Sequence, residues 1–147
     1  MGGYHDPPWR FRGRALYQLH LVKACDARKF IPSELRLVEL FGYTLGGVFL
    51  ARYADSPVGA FDELVALAGL VWQFPTSFSG GTPEHPGLLR YACQLAARIR
   101  LSPCAGIKAE RSDQEEPDAL AAVLSGRPVL ALTFDNLDMR VSLLRIF

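Results

Sequence analysis

A chain of 147 residues, half of them hydrophobic and 21% charged, can bury one domain's core and is too apolar to stay disordered. Its formal net charge of +1 gives no global field that would favour nucleic acid or an anionic membrane. No apolar run approaches the ~20 residues of a membrane-spanning helix.

The opening "MGGYHDPPWRFRGR" has no apolar region of the signal-peptide kind and too little serine for a transit peptide. Gly2 is followed by Asp6 where a myristoylation signal wants Ser or Thr. Cys25, Cys93 and Cys104 are odd in number and form no C-x-x-C pair. A reducing intracellular compartment is therefore expected, cytoplasm or plastid. Within the next segment, Arg10, Arg12 and Arg14 stand on alternate positions, as on one solvated strand face.

From Ala15 to Ala24 the pattern has period two. Ala15, Tyr17, Leu19 and Leu21 share one face; Leu16, Gln18, His20 and Val22 share the other. The second face mixes polar and apolar groups, as a cavity lining or a partly wet sheet surface would. "CDARKFIPSEL" reads as one or two helical turns, with Asp26 as N-cap and Pro32 as the stop. In "LRLVELFGYTLGGVFLARY" the glycines mark bends or close backbone approach in a curved sheet. "ADSPVGA" is a turn, and "FDELVALAGLVW" reads as a strand buried on both faces.

"LLRYACQLAARIRLS" alternates so regularly that a strand over Leu89–Leu101 is expected, although Arg90, Gln94 and Arg98 also recur at helical spacing. "KAERSDQEEPDA" is an acidic exposed loop. "DALAAVLSG" is a short helix with Asp118 as N-cap and Gly126 just past its end. "RPVLALTF" is a strand, "DNLD" a turn and "MRVSLLRIF" a last strand. The sum is one α+β domain over residues 1–147, an antiparallel-rich curved sheet or incomplete β-barrel with two short helices.

Few residues point to chemistry. His5, His20 and His85 have no second ligand at metal spacing, so no metal or other cofactor is expected. There is no phosphate loop and no G-x-S-x-G elbow. Gln18, His20 and Glu63 are the polar residues on otherwise apolar strands.

The blocks "LYQLHLVKA", "FGYTLGG" and "SPVGAFDEL" give Ala15–Trp72 a resemblance to the plant neoxanthin-deficient family. That family is in turn similar to the acetoacetate decarboxylase superfamily. Gly59 to Leu64 resembles the superfamily's Gly-x-aromatic-x-Glu-Leu signature. The resemblance makes Glu63 a site residue, while its plain reading is a carboxylate paired with an arginine. With Glu63 facing inward toward Tyr43 and Trp72, the expected ligand-binding set is Glu63, His20, Gln18 and Tyr43. "SFSGGTPEHPGLLRYACQLAARIRL" and "RPVLALTFDNLDMRV" resemble the family's C-terminal part. Residues 73–78 therefore read as a seam where an internal section is missing.

The resemblance implies a barrel-like core in which the blocks at Ala15–Ala24 and Leu89–Leu101 pair, with an uncovered edge near Trp72–Phe78. The superfamily's chemistry needs a lysine of lowered pKa to form a Schiff base. Lys23, Lys29 and Lys108 are the only lysines, none beside another, and none matches that lysine. The implied function is a non-catalytic accessory role in forming neoxanthin, and hence the precursor of abscisic acid. The implied partner is an apolar small molecule or a protein of the xanthophyll pathway. The alternatives are a lyase related to acetoacetate decarboxylase and an inactive shortened form or interaction module.

Overall fold

A computed structural model describes residues 6–72, 91–108 and 118–143. The stretch 73–78 thus lies outside the described residues, as does most of the acidic loop. A five-stranded antiparallel sheet has the order β4-β3-β1-β7-β6, and β2 with β5 forms a separate two-stranded ribbon. The strands are β1 (Trp9–Lys23), β2 (Arg36–Leu37), β3 (Tyr43–Asp55), β4 (Phe61–Leu67), β5 (Val71–Trp72), β6 (Tyr91–Ser102) and β7 (Arg127–Leu143). Two short helices, α1 (Ala24–Ala27) and α2 (Ala119–Leu124), complete it, and a 3-10 turn follows α1 at Arg28–Phe30. This is the α+β curved sheet expected, and among the described strands it does not close into a barrel.

β1 is hydrogen-bonded along both edges, to β3 and to β7. Its burial changes face along its length. Up to Ala15 the odd positions are the more buried, and Arg10, Arg12 and Arg14 are exposed; from Gln18 the even positions are buried. Two small cores result, on opposite faces. Ala15, Ala51, Tyr53 and Leu137 form one, packed by Phe11, Phe49, Phe61, Ala97, Phe134 and Met139. Val22, Ala27, Val48 and Val123 form the other, under α1, α2 and Ile107. The first core contains no helix. It is closed by the sheet coiling on itself, which brings Ala97 of β6 into one cluster with Tyr53 and Phe61 of β3 and β4. The strand twist common to all sheets makes such coiling possible. The face carrying the first core is called here the inner face, and the other the outer face.

Four expectations are corrected. The blocks at Ala15–Ala24 and Leu89–Leu101 share the sheet but do not pair. β7 lies between them and bonds to both, because its long apolar run can be flanked on two edges. "DNLD" is not a turn: β7 runs through it without a break, and the extra residue is a bulge with Asn136 at φ 51°. Register shifts opposite Gly13/Ala15 and Ala96/Arg98 mark it on both neighbours. Asn tolerates the left-handed conformation that a turn or a bulge requires, so composition alone does not separate the two. Asp26 is not an N-cap; Lys23 holds that position, and Asp26 accepts from Lys29 Nζ at 2.9 Å. "FDELVALAGLVW" is not one buried strand. β4 is a half-exposed edge, and the chain leaves the sheet at Ala68–Leu70 to pair β5 with β2.

Other signals acted as read. Asp118 caps α2, its side chain accepting from Leu120 N at 2.9 Å. Gly126 follows the last turn, where a Cβ would meet the Leu21 carbonyl oxygen at 2.5 Å. Gly46 and Gly47 do mark close approach: a Cβ on either would come within 2.5 Å of Leu67 O or 2.6 Å of Gln18 O.

The bulge gives a stability test. Asn136→Val should cost about 1–2 kcal/mol, since β-branched residues resist positive φ, whereas Asn136→Gly should change stability by a few tenths. Urea unfolding of the two variants checks this; equal losses would mean that the conformation of residue 136 is not what the bulge depends on.

Candidate functional site

The inner face is apolar across every strand of the large sheet. The cross-strand register aligns Val65, Phe49, Tyr17, Leu132 and Leu101 in one row, and Leu67, Gly47, Leu19 and Leu130 in the next. Leu21 and Leu45 extend it. Where the sheet coils, this face is sealed by aromatic contacts: Tyr53 to Phe61 at 4.9 Å and to Phe11 at 5.3 Å between ring centroids. Toward the other end it opens, and Leu21, Leu45, Leu67 and Leu130 are each more than a third exposed, Leu101 76%. Apolar surface that spans several strands in this way marks an interaction surface in a soluble domain.

Glu63 stands on this face, directly opposite Ala51 and beside the aromatic seal. Tyr53 Oη donates to Glu63 Oε2 at 2.8 Å. The hairpin at Ser56–Gly59 sets this up: Gly59 N donates to Ser56 O at 3.0 Å, so that Tyr53 faces Phe61 and Arg52 faces Asp62. Burial first, and then the neighbouring carboxylate, push the Tyr53 phenol well above its ordinary pKa. The phenol therefore stays protonated and can only donate to Glu63. Among the described residues Glu63 Oε1 has no donor, and no unsatisfied side-chain oxygen is fully buried, so this oxygen is open to solvent or a ligand. The partner of Glu63 is thus a tyrosine and not an arginine.

Gln18 and His20 point to the outer face, where both are buried. The Gln18 amide is bonded twice to one peptide: Ala105 N donates to Oε1 at 2.7 Å, and Nε2 donates to Ala105 O at 3.0 Å. Nε2 also lies 3.0 Å from His20 Nε2. As Nε2 of Gln18 can only donate, His20 Nε2 accepts, and the proton on Nδ1 is donated to Gly126 O at 3.2 Å. These two side chains fasten the 103–108 loop and the turn after α2 over the second core. Tyr43 is on the inner-face phase of β3, eight residues from Ala51 and so roughly 26 Å from the level of Glu63 at ~3.3 Å per residue. The set of four is therefore split: Glu63 and Tyr43 at opposite ends of the inner face, Gln18 and His20 on the outer face.

Trp72 lies on β5, paired with Arg36 of β2, and is 58% exposed. Among the described residues no cluster of His, Cys, Asp and Glu could hold a metal ion, and no helix is long and apolar enough to cross a membrane. The role of Tyr53 was not foreseen from the sequence. The signal was present in the "SPVG" turn, which pairs Tyr53 with Phe61 across the hairpin and so brings it beside Glu63, two residues further on.

Over 76 residues the chain is 75% identical to Protein NEOXANTHIN-DEFICIENT 1 of Oryza sativa subsp. japonica. Over 75 residues it is 71% identical to the protein of that name from Arabidopsis thaliana and 72% to that from Solanum lycopersicum. Each match takes in 51% of this chain, and 25%, 27% and 25% of the respective relative. The chain thus spans about a quarter of the length of the curated relatives it matches. No family profile matches it, and no solved structure does.

Replacing Gln18 by Leu should cost about 2–3 kcal/mol, because both Ala105 groups and His20 lose a buried partner. The measurement is denaturant unfolding together with amide exchange at Ala105. Unchanged exchange there would show that the loop is held by its apolar contacts instead.

Proposed function

We propose, from the similarity of half of this chain to the proteins named NEOXANTHIN-DEFICIENT 1, that it serves neoxanthin formation by holding an apolar, hydroxyl-bearing molecule rather than by transforming it. The observation that carries this reading is the inner face. It is a long apolar strip with an oxygen acceptor, Glu63 Oε1, near its sealed end and the Tyr43 phenol at the other. A xanthophyll is an extended polyene with oxygen functions on its end rings. Its body would lie over Tyr17, Leu19 and Phe49, and a terminal hydroxyl would donate to Glu63.

Support for an accessory role comes from the lysines. Lys23 is the last residue of β1, at the end remote from Glu63. Lys29 is paired with Asp26, and Lys108 is the last residue of the 103–108 loop. None stands beside Glu63 or beside a second lysine, as a Schiff-base nucleophile of lowered pKa would need. The uncovered part of the inner face fits the further proposal that strands present in the family's middle section are missing at the seam. Leaving a few hundred Å² of apolar surface in water forgoes several kcal/mol at ~25 cal/mol per Å².

The test is titration of the chain with violaxanthin and neoxanthin in detergent, followed by tryptophan quenching and by the polyene absorption band. Binding is expected, with β-carotene, which lacks hydroxyls, held less tightly. Glu63→Ala should weaken the hydroxylated ligands about tenfold, the worth of one hydrogen bond to a charged acceptor. Leu19→Asp should abolish binding. Equal affinity for β-carotene and violaxanthin would remove Glu63 from the site, and binding that survives Leu19→Asp would remove the inner face.

A further inference from the structure

The turn that leads into β3 is strained and apolar at once. Leu40 and Tyr43 exchange two backbone hydrogen bonds, Leu40 N to Tyr43 O at 2.8 Å and Tyr43 N to Leu40 O at 3.0 Å. Phe41 and Gly42 are therefore a two-residue hairpin loop, and both have positive φ, 52° and 80°. Positive φ at both central residues is the requirement of a type I′ turn, whose favoured sequence is Asn-Gly. Gly42 meets it freely, but a phenylalanine held there costs conformational energy. Packing returns little of that cost, since Phe41 is 91% exposed and Leu40 beside it is 69% exposed.

The turn is braced from behind. Ala24 N, at the start of α1, donates to Gly42 O at 2.8 Å. Arg28 of the 3-10 turn donates to Glu39, one residue before Leu40, at 2.7 Å. Lys29 is paired with Asp26 in the same segment. These charges cancel in pairs, and Lys23, directly across from Tyr43, adds one exposed cation. Exposed apolar side chains continue back from the apex on both arms. Val38 and Leu40 precede it, Tyr43 and Leu45 follow it, and Leu21 stands across from Leu45.

We infer that this turn docks the protein on a lipid bilayer, with Leu40 and Phe41 entering the acyl region and Tyr43 and Lys23 at the level of the headgroups. Three observations select lipid as the occupant. The apex is only two residues wide and carries apolar groups on both arms, which suits a fluid that closes around it. The order outward is that of a bilayer surface: paired charges and a lysine, then a tyrosine, then leucine and phenylalanine. The conformational cost at Phe41 falls where only a contact outside the described residues can return it. The docking is apolar and not electrostatic, in keeping with the net charge of +1, and peripheral, since no helix among the described residues could cross a membrane. It does not rest on the reading of the inner face, although Tyr43, Leu45 and Leu21 would turn the open end of that face toward the lipid.

The experiment is flotation of the chain with phosphatidylcholine vesicles. The chain should float with them, at high salt as at low, because apolar insertion is not screened. Phe41→Asn supplies the pair the turn favours, so this variant should melt no lower than the unsubstituted chain, yet bind vesicles about tenfold more weakly or worse. Val58→Asn, at the exposed apex of the Ser56–Gly59 hairpin, should leave vesicle binding unchanged. Phe41→Trp should be quenched by bromine-labelled lipid beyond the level of the unsubstituted chain. A chain that stays at the bottom of the gradient, binding that survives Phe41→Asn, binding lost at high salt, or an unquenched Phe41→Trp would each overturn the proposal. If vesicles are not bound and Phe41→Asn instead dissolves a dimer seen by sedimentation, the apex belongs to a second copy of the chain and the bilayer is overturned. Titration with violaxanthin in detergent contains no bilayer, so the inner face and the turn can fail separately.

Discussion

The fold depends on one requirement placed on β1. Its backbone is paired on both edges over most of its length, while its buried side chains switch from odd to even positions near its middle. A flat ladder cannot do this, because alternation is strict and one face would stay wet. The sheet meets the requirement by coiling. At one end the inner face closes on its own aromatic residues, and at the other the outer face is covered by α1, α2 and the 103–108 loop. The bulge at Asn136 lies next to this switch, in the strand that pairs with β1, where extra local twist is needed.

Everything with chemical character sits where one of these two coverings ends. On the inner face the seal of Phe11, Tyr53 and Phe61 stops at Glu63, so its carboxylate has one oxygen held by a buried phenol and the other open. On the outer face the loop and α2 stop short of Leu16, Leu50 and Leu64, which leaves an open depression that Arg14, Arg52 and Glu63 also line. Gln18 and His20 mark the boundary on that side. They are buried and polar because they hold two backbone segments in place, and their hydrogen bonds are used up in doing so. A buried polar side chain on a strand is therefore weak evidence for a ligand when a loop must be anchored nearby.

The inner face also links the kinship to the physics. The relatives share this chain's sequence at 71–75% identity over about half of it, and they are about four times the length of each match. The sheet presents apolar side chains on this face across all five strands, several of them more than a third exposed. Among the described strands β4 and β6 stand at the two edges of that sheet.

Local signals determined most of the elements. Period-two alternation identified β1 and β6, the Asp118 cap and Gly126 bounded α2, and the "SPVG" turn separated β3 from β4. The motif around Glu63 was legible too, as a resemblance. Three things were decided only in three dimensions. Which strands neighbour each other followed from long-range pairing, so β7 came between β1 and β6 although nothing local to either strand records it. Whether "DNLD" turned or bulged depended on strands being present on both sides, since the same residues suit both conformations. Which face of β1 was interior depended on the coil of the whole sheet. Alternation tells which residues share a face, but only packing tells which face is covered, and that is why Gln18 and Glu63 ended on opposite sides.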